Sequence, residues 1–236
     1  MKTVIICAHG LIKDAEHDFV DFKKYVDDNK IDVEVDLLKL YDIKNKKTFK
    51  HKNKIKVLEN AIVKYKNEGY RIVLVGYSFS CGLMAKMCKK HDIYKLIMVS
   101  PVCHIFTKSG IGYYLKTFLK AFKLKWKVMF NKKKKKTLKR VNSFYVVDLL
   151  FSCFDDLHKT NKKFKHIKCP VLCMIGSEDE IVRLKDLKNI RGQIKNSPYF
   201  DMKFYQGEDH VFIMSKKHGK ERFYNDMISF VDYSQV

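Results

Sequence analysis

Three side chains in this sequence could cooperate in nucleophilic chemistry. Ser78 stands in Gly76-Tyr77-Ser78-Phe79-Ser80, directly after the apolar run Arg71 to Val75 and before the helix-compatible stretch Cys81 to Met87. A serine hydroxyl is a poor nucleophile at neutral pH, so it needs a base to take its proton and an acid to orient that base. His210 is the candidate base. It follows the strand-like Met202 to Tyr205 in a Gly-x-x-His loop, and imidazole accepts and returns a proton near neutrality. The chain has nine histidines, and His210 is set apart by standing between the last predicted strand and the last predicted helix. Asp179 is the candidate acid, three residues beyond Gly176 at the end of the apolar run from Cys169. Its carboxylate could accept a hydrogen bond from the imidazole and stabilise its charged form. Glu178 and Glu180 are neighbouring alternatives. Asp209 adjoins His210, but neighbouring side chains in a tight turn diverge, which ranks it below Asp179.

The elements that must hold these residues are legible as an alternation. Apolar runs suited to buried parallel strands recur at about 3–8, 33–38, 71–76, 94–100, 170–176 and 202–206. Helix-compatible stretches fall between them near 14–28, 51–68, 79–91, 183–195 and 216–232. The pattern predicts a doubly wound, mostly parallel α/β sheet, and such sheets carry functional groups at the carboxyl ends of their strands. Ser78, Asp179 and His210 each follow one of these runs. So does His9-Gly10-Leu11 after the first.

The strand, Gly-x-Ser-x-small turn and helix resemble the nucleophile elbow of the α/β-hydrolase superfamily. There the serine is held in a strained backbone conformation, and small residues two positions either side let strand and helix approach closely. Ser80 occupies a position where the superfamily usually has glycine. The order serine, acid, histidine matches as well, and His9-Gly10 resembles the superfamily's His-Gly turn. The resemblance therefore implies backbone N–H groups of Leu11 and Phe79 as an oxyanion hole, with His9, Gly10 and Gly76 supporting the turns. It extends over nearly the whole chain and is nearest the small carboxylesterase and monoacylglycerol-lipase-like branch. Because the chain begins at the His-Gly strand, the leading antiparallel strands of larger relatives are expected to be absent.

One segment breaks the rhythm. About seventy residues separate Ser100 from Pro170, too long for a simple connection. We read residues 1–236 as a single domain in which 101–168 form an inserted cap. From Ile93 to Val147 there are fourteen basic residues and no acidic one, including Lys132 to Lys136 in a row. Within it Ile111, Leu115, Phe118, Phe122, Trp126 and Met129 share one helical face, while Lys116, Lys120, Lys123 and Lys127 share the other. A cap helix with a solvated lysine face accounts for this pattern. The second reading is a lid that meets an anionic membrane surface.

The net charge of +22 raises nucleic acid as a partner, but only five of the 48 basic residues are arginine. Phosphate and base recognition favours arginine's planar fork, so no specific nucleic-acid partner is expected. A hydrophobic content of 46% argues against disorder, and no apolar run approaches the roughly 18 residues of a membrane span. The first apolar stretch is too short for a signal peptide. Seven cysteines, mostly inside apolar segments and without paired metal-ligand spacing, indicate reduced thiols in a cytoplasmic protein.

Taken with the resemblance, these residues imply hydrolysis of a small-molecule carboxylic ester through an acyl-enzyme intermediate. The substrate class is a small or medium acyl or aryl ester or a monoacylglycerol, and no metal or organic cofactor is needed. A thioesterase, acyltransferase or small peptidase would use the same residues. From a different class, the fold could serve as a non-catalytic module that binds lipid or a partner through its basic cap.

Overall fold

The computed structural model describes residues 1–11, 18–102, 143–160, 162–182, 184–214 and 219–232. The amphipathic stretch 111–130 and Lys132 to Lys136 lie outside them, as does most of the predicted cap.

Central strands of a sheet covered on both faces must be apolar on both sides, and four of these strands are nearly continuous runs of Val, Ile, Leu and Met. The sheet contains β1 (Thr3–Ala8), β2 (Glu34–Leu38), β3 (Arg71–Tyr77), β4 (Lys95–Val99), β5 (Val171–Gly176) and β6 (Phe200–Tyr205). Their order is β2-β1-β3-β4-β5-β6, and every pairing is parallel. Alternate residues serve opposite layers. Val4, Ile6, Leu74 and Met98 pack toward α2 (His51–Asn67), α3 (Ser80–Lys90), α4 (Ser143–Thr160) and α5 (Leu184–Gln193). Ile5, Cys7, Val73 and Ile97 pack toward α1 (Val20–Asp28) and α6 (Glu221–Asp232).

This topology decides where a site can form. The chain leaves β1 toward the β2 edge and then returns past β1 to β3, so the direction of winding reverses between β1 and β3. A crevice opens at the carboxyl ends of strands flanking such a reversal. Register sets the ends level: Ala8 pairs with Gly76, Tyr77 with Val99 and Gly176 with Tyr205. Residues just beyond β1, β3, β5 and β6 therefore share one rim.

Two buried polar devices brace the layers. Lys95 is fully buried on β4, and its Nζ donates to the carbonyls of Phe230 (2.7 Å) and Val231 (3.2 Å) in the last turn of α6. A cation there satisfies carbonyls that lack helical partners and complements the helix dipole. Burial, with Arg71 nearby, holds the Lys95 pKa below its ordinary value. The second device joins α2 to α4. His51 Nδ1 donates to Asp156 Oδ1 at 2.7 Å, and Lys54 pairs with Asp156 Oδ2 and donates to Ser152 Oγ at 2.8 Å. Lys86 Nζ on α3 lies 2.7 Å from His51 Nε2. Lys54 and Asp156 are completely buried.

Helix α4, from the carboxyl-terminal part of the predicted cap, packs closely on α3. A Cβ on Gly82 would stand 2.3 Å from Thr160 Oγ1, so glycine is required for this approach. Among the described residues no helix is long and apolar enough to cross a membrane.

Candidate active site

The turn after β3 has the geometry that its spelling anticipates. Ser78 adopts φ +58°, the left-handed region that costs a non-glycine residue of order 1–3 kcal/mol. A Cβ on Gly76 would lie 2.8 Å from Cys81 Cα and 2.9 Å from Cys81 N, so only glycine lets β3 and α3 come this close. Ser80 does more than keep the turn small. Its Oγ accepts from Tyr77 N (2.8 Å), and its one hydrogen is shared between the carbonyls of Ala8 and Tyr77 (2.9 Å each), which links the elbow to the end of β1. Ser78 N also donates to Val99 O at 2.9 Å, anchoring the turn on β4.

His210 reaches Ser78 across 132 residues of sequence, with Nε2 at 3.0 Å from Oγ. Its Nδ1 lies 2.9 Å from Asp179 Oδ2. A carboxylate can only accept, so Nδ1 carries the hydrogen and Nε2 is left as an acceptor facing the Ser78 hydroxyl. The other oxygen of Asp179, Oδ1, accepts from the N–H groups of Ile181 (2.9 Å) and Val182 (2.8 Å), which fixes the carboxylate's orientation. Burial of Asp179 opposes ionisation, but hydrogen bonds from His210, Val182 and Ile181 outweigh it and hold the pKa below the usual aspartate value. The side chain of Asp179 is 1% exposed and that of His210 13%, so solvent reaches the pair only at the imidazole.

The loops that carry Asp179 and His210 are stitched by their backbones. Glu178 N donates to Glu208 O at 2.9 Å, and Gly207 N donates to Ser177 Oγ at 2.9 Å. At Gly176 a Cβ would stand 2.2 Å from Glu208 O. The alternative carboxylates take other positions. Glu178 and Glu180 are exposed, and Asp209 accepts from Val211 N at 2.9 Å.

The turn after β1 completes the rim. His9 is fully buried, donating from Nδ1 to Gly10 O (2.8 Å) and accepting from Leu40 N at Nε2 (3.1 Å). Both ring nitrogens are thus engaged in bracing the backbone. Gly10 N donates to Asp18 Oδ2 at 2.8 Å, and Tyr41 OH donates to Gly10 O at 3.3 Å. Leu11 follows, half-buried against the core, while buried Phe79 follows Ser78 and leads into α3. Sequence reasoning did not single out Asp18 or Tyr77. Asp18 had one local cue, an acid eight residues after Gly10 and just ahead of α1.

A cavity of about 480 Å³ lies elsewhere, lined by residues such as Cys88, His91, His166 and Cys169. These residues precede β4 and β5 and so mark the amino ends of the strands, opposite Ser78. Among the described residues no group of three or more His, Cys, Asp or Glu side chains could hold a metal ion.

Solved structures resemble this chain along nearly its full length. A Paleococcus ferrophilus monoacylglycerol lipase aligns with a TM-score of 0.63 at 13% identity, covering 98% of this chain and 96% of its own. The chain has the α/β-hydrolase fold. Carboxylesterases of the thaumarchaeon Nitrososphaera gargenis supply another structure with this fold, at TM-score 0.65 and 13% identity over 98% of this chain and 90% of that one. An Exiguobacterium antarcticum esterase aligns at TM-score 0.66 and 15% identity over 97% and 91% of the two chains. A family model described as the Dienelactone hydrolase family, whose members share the α/β-hydrolase fold, matches residues 126–233, the part that carries Asp179 and His210. Among curated proteins none matches the sequence. Within the α/β-hydrolase fold, Ser78, Asp179 and His210 stand at strand ends in the order serine, acid, histidine.

Proposed function

We propose that this chain is a serine hydrolase that cleaves a carboxylic ester through an acyl-enzyme intermediate. The observation that carries the reading is the unbroken hydrogen-bonded path from Ser78 Oγ through His210 to Asp179, at 3.0 and 2.9 Å. Ser78 Oγ attacks the ester carbonyl carbon as its proton passes to His210 Nε2. Asp179 stabilises the imidazolium that forms. Collapse of the tetrahedral intermediate expels the alcohol, which takes the proton from Nε2. Water then attacks the acyl-Ser78 ester with His210 again as base, releasing the acid. The N–H groups of Leu11 and Phe79 face the developing oxyanion, and His9, Gly10 and Gly76 hold their turns in shape.

The left-handed backbone at Ser78 supports this assignment, because strain of this kind persists where the surroundings enforce it and clusters at active sites. In this reading residues 1–236 are one domain with an insertion over 101–168 that selects the acyl group, anchored by α4, which packs among the helices covering the sheet. The substrate is a small or medium acyl or aryl ester or a monoacylglycerol, in keeping with the esterase and lipase names of its structural relatives.

A fluorophosphonate probe is expected to label the native protein at Ser78 and to leave Ser78→Ala unmodified. A chain-length series of chromogenic esters, run beside matched thioesters and amides, then defines the preferred acyl group. Equal turnover by native protein and Ser78→Ala would overturn the assignment.

A further inference from the structure

Tyr77, between Gly76 and Ser78, is buried at 4% exposure, yet its side chain meets two different loops of the proposed site. Its hydroxyl donates to the carbonyl of His210 at 3.1 Å, and its ring lies 5.7 Å from the imidazole at an interplanar angle of 32°. The ring also presses on Gly10: a Cβ there would stand 2.6 Å from Tyr77 Cδ1 and 2.7 Å from Cε1. Phe19 backs the ring edge-on, with centroids 6.5 Å apart at 90°. Gly10 is meanwhile pinned through its N–H by Asp18.

We infer that Tyr77 is a positioning residue for the proposed hydrolysis, holding His210 and the Gly10-Leu11 turn at a fixed separation from each other. The inference rests on the reading given above. Asp179 fixes one ring nitrogen of His210 but leaves the backbone of its loop to be located by other contacts. The Tyr77 hydroxyl supplies one of them at the His210 carbonyl itself. A shift of that loop moves Nε2 relative to Oγ, and a displacement of about 1 Å in such a geometry can cost on the order of a hundredfold in rate. The same ring limits how far the Gly10-Leu11 turn can move inward. Base and oxyanion donors are therefore referenced to one side chain, itself held in the elbow that carries the nucleophile.

Tyr77→Phe removes the hydroxyl and retains the ring. We expect kcat to fall about tenfold with KM within about twofold of native, the pattern of a contact that matters in the transition state. The Nδ1 proton resonance of His210 should shift in the same variant. Phe19→Leu, which loosens packing behind Tyr77 while leaving its hydroxyl in place, should leave that resonance where it is and serves as the control for general core loss. Tyr77→Leu, which also vacates the space beside Gly10, should lower kcat about a hundredfold or more. If the fluorophosphonate labels native protein at Ser78 while Tyr77→Phe matches native in kcat and resonance, the inference fails alone. If native protein is not labelled and does not turn over esters, the hydrolase reading fails and takes the inference with it.

Discussion

The described residues include two histidine–aspartate pairs of nearly the same geometry. His210 Nδ1 lies 2.9 Å from Asp179 Oδ2, and His51 Nδ1 lies 2.7 Å from Asp156 Oδ1. What separates them is the third partner. The remaining nitrogen of His210 faces the hydroxyl of Ser78, whereas that of His51 faces the ammonium of Lys86. The carboxylates differ as well. The second oxygen of Asp179 is held by neutral backbone N–H groups, which orient it without neutralising it. That of Asp156 is paired with the buried cation of Lys54. The first arrangement keeps a carboxylate's charge available to an imidazolium, and the second consumes it in joining helices. A histidine beside an aspartate therefore says little about chemistry until the other side of the ring is known.

The largest expected effect breaks the first pair. Asp179→Asn should lower kcat by about 10⁴-fold, because the imidazole loses the partner that fixes its tautomer, while the fold is retained. Ester hydrolysis under saturating substrate, beside circular dichroism, checks it. Asp156→Ala breaks the second pair and should instead cost about 3–5 kcal/mol in urea unfolding, since it leaves Lys54 buried without its counter-charge. Turnover per folded molecule should stay within about threefold of native, as expected when a substitution spares transition-state contacts. Replacing both partners, as Lys54→Met with Asp156→Leu, should recover much of that loss, because well-packed apolar residues often substitute for a buried ion pair. If the double variant is no more stable than Asp156→Ala, the network contributes something other than paired charge.

A pH series sharpens the contrast further. The Asp179 pKa is lowered on folding, so its contribution to stability is fully present above the unfolded value of about 3.9 and is lost as pH falls through the lower folded value. Asp179→Asn lacks this acid-side loss, and the unfolding free energies of native and variant should converge as pH falls through that window. Parallel curves would show that the carboxylate carries no such linkage. The smallest effect belongs to Ser80→Gly, which places there the glycine usual in the elbow that this turn resembles. It should nonetheless destabilise by about 1 kcal/mol through loss of the hydroxyl's bonds to Tyr77 and Ala8, measured by denaturant midpoint.

The sheet was readable because buried parallel strands are short unbroken apolar runs, and all six lie within two residues of their expected starts. Ser78, Asp179 and His210 were readable for a related reason: topology sends residues that follow such runs to a common rim. The His51, Lys54 and Asp156 network had no such signature, since its members come from helices about a hundred residues apart and each resembles an ordinary surface side chain in sequence. Lys95 was hidden similarly, a lysine inside an apolar run whose partners lie 135 and 136 residues away. Tyr77 was concealed by its position. In a five-residue motif defined by its small residues and its serine, the intervening aromatic carries no stated requirement. Ser80 appeared to be a substitution tolerated for its size, and the three-dimensional structure gives its hydroxyl a role, within the turn at Tyr77 and across to Ala8 at the end of β1.

The left-handed backbone at Ser78 also bears on how this protein could be engineered. Glycine adopts that conformation without penalty, so Ser78→Gly should relieve strain and raise stability by about 1 kcal/mol while abolishing turnover. Selection of variants for heat resistance alone would therefore reward loss of the proposed nucleophile. A screen meant to yield a robust enzyme must score activity in every round.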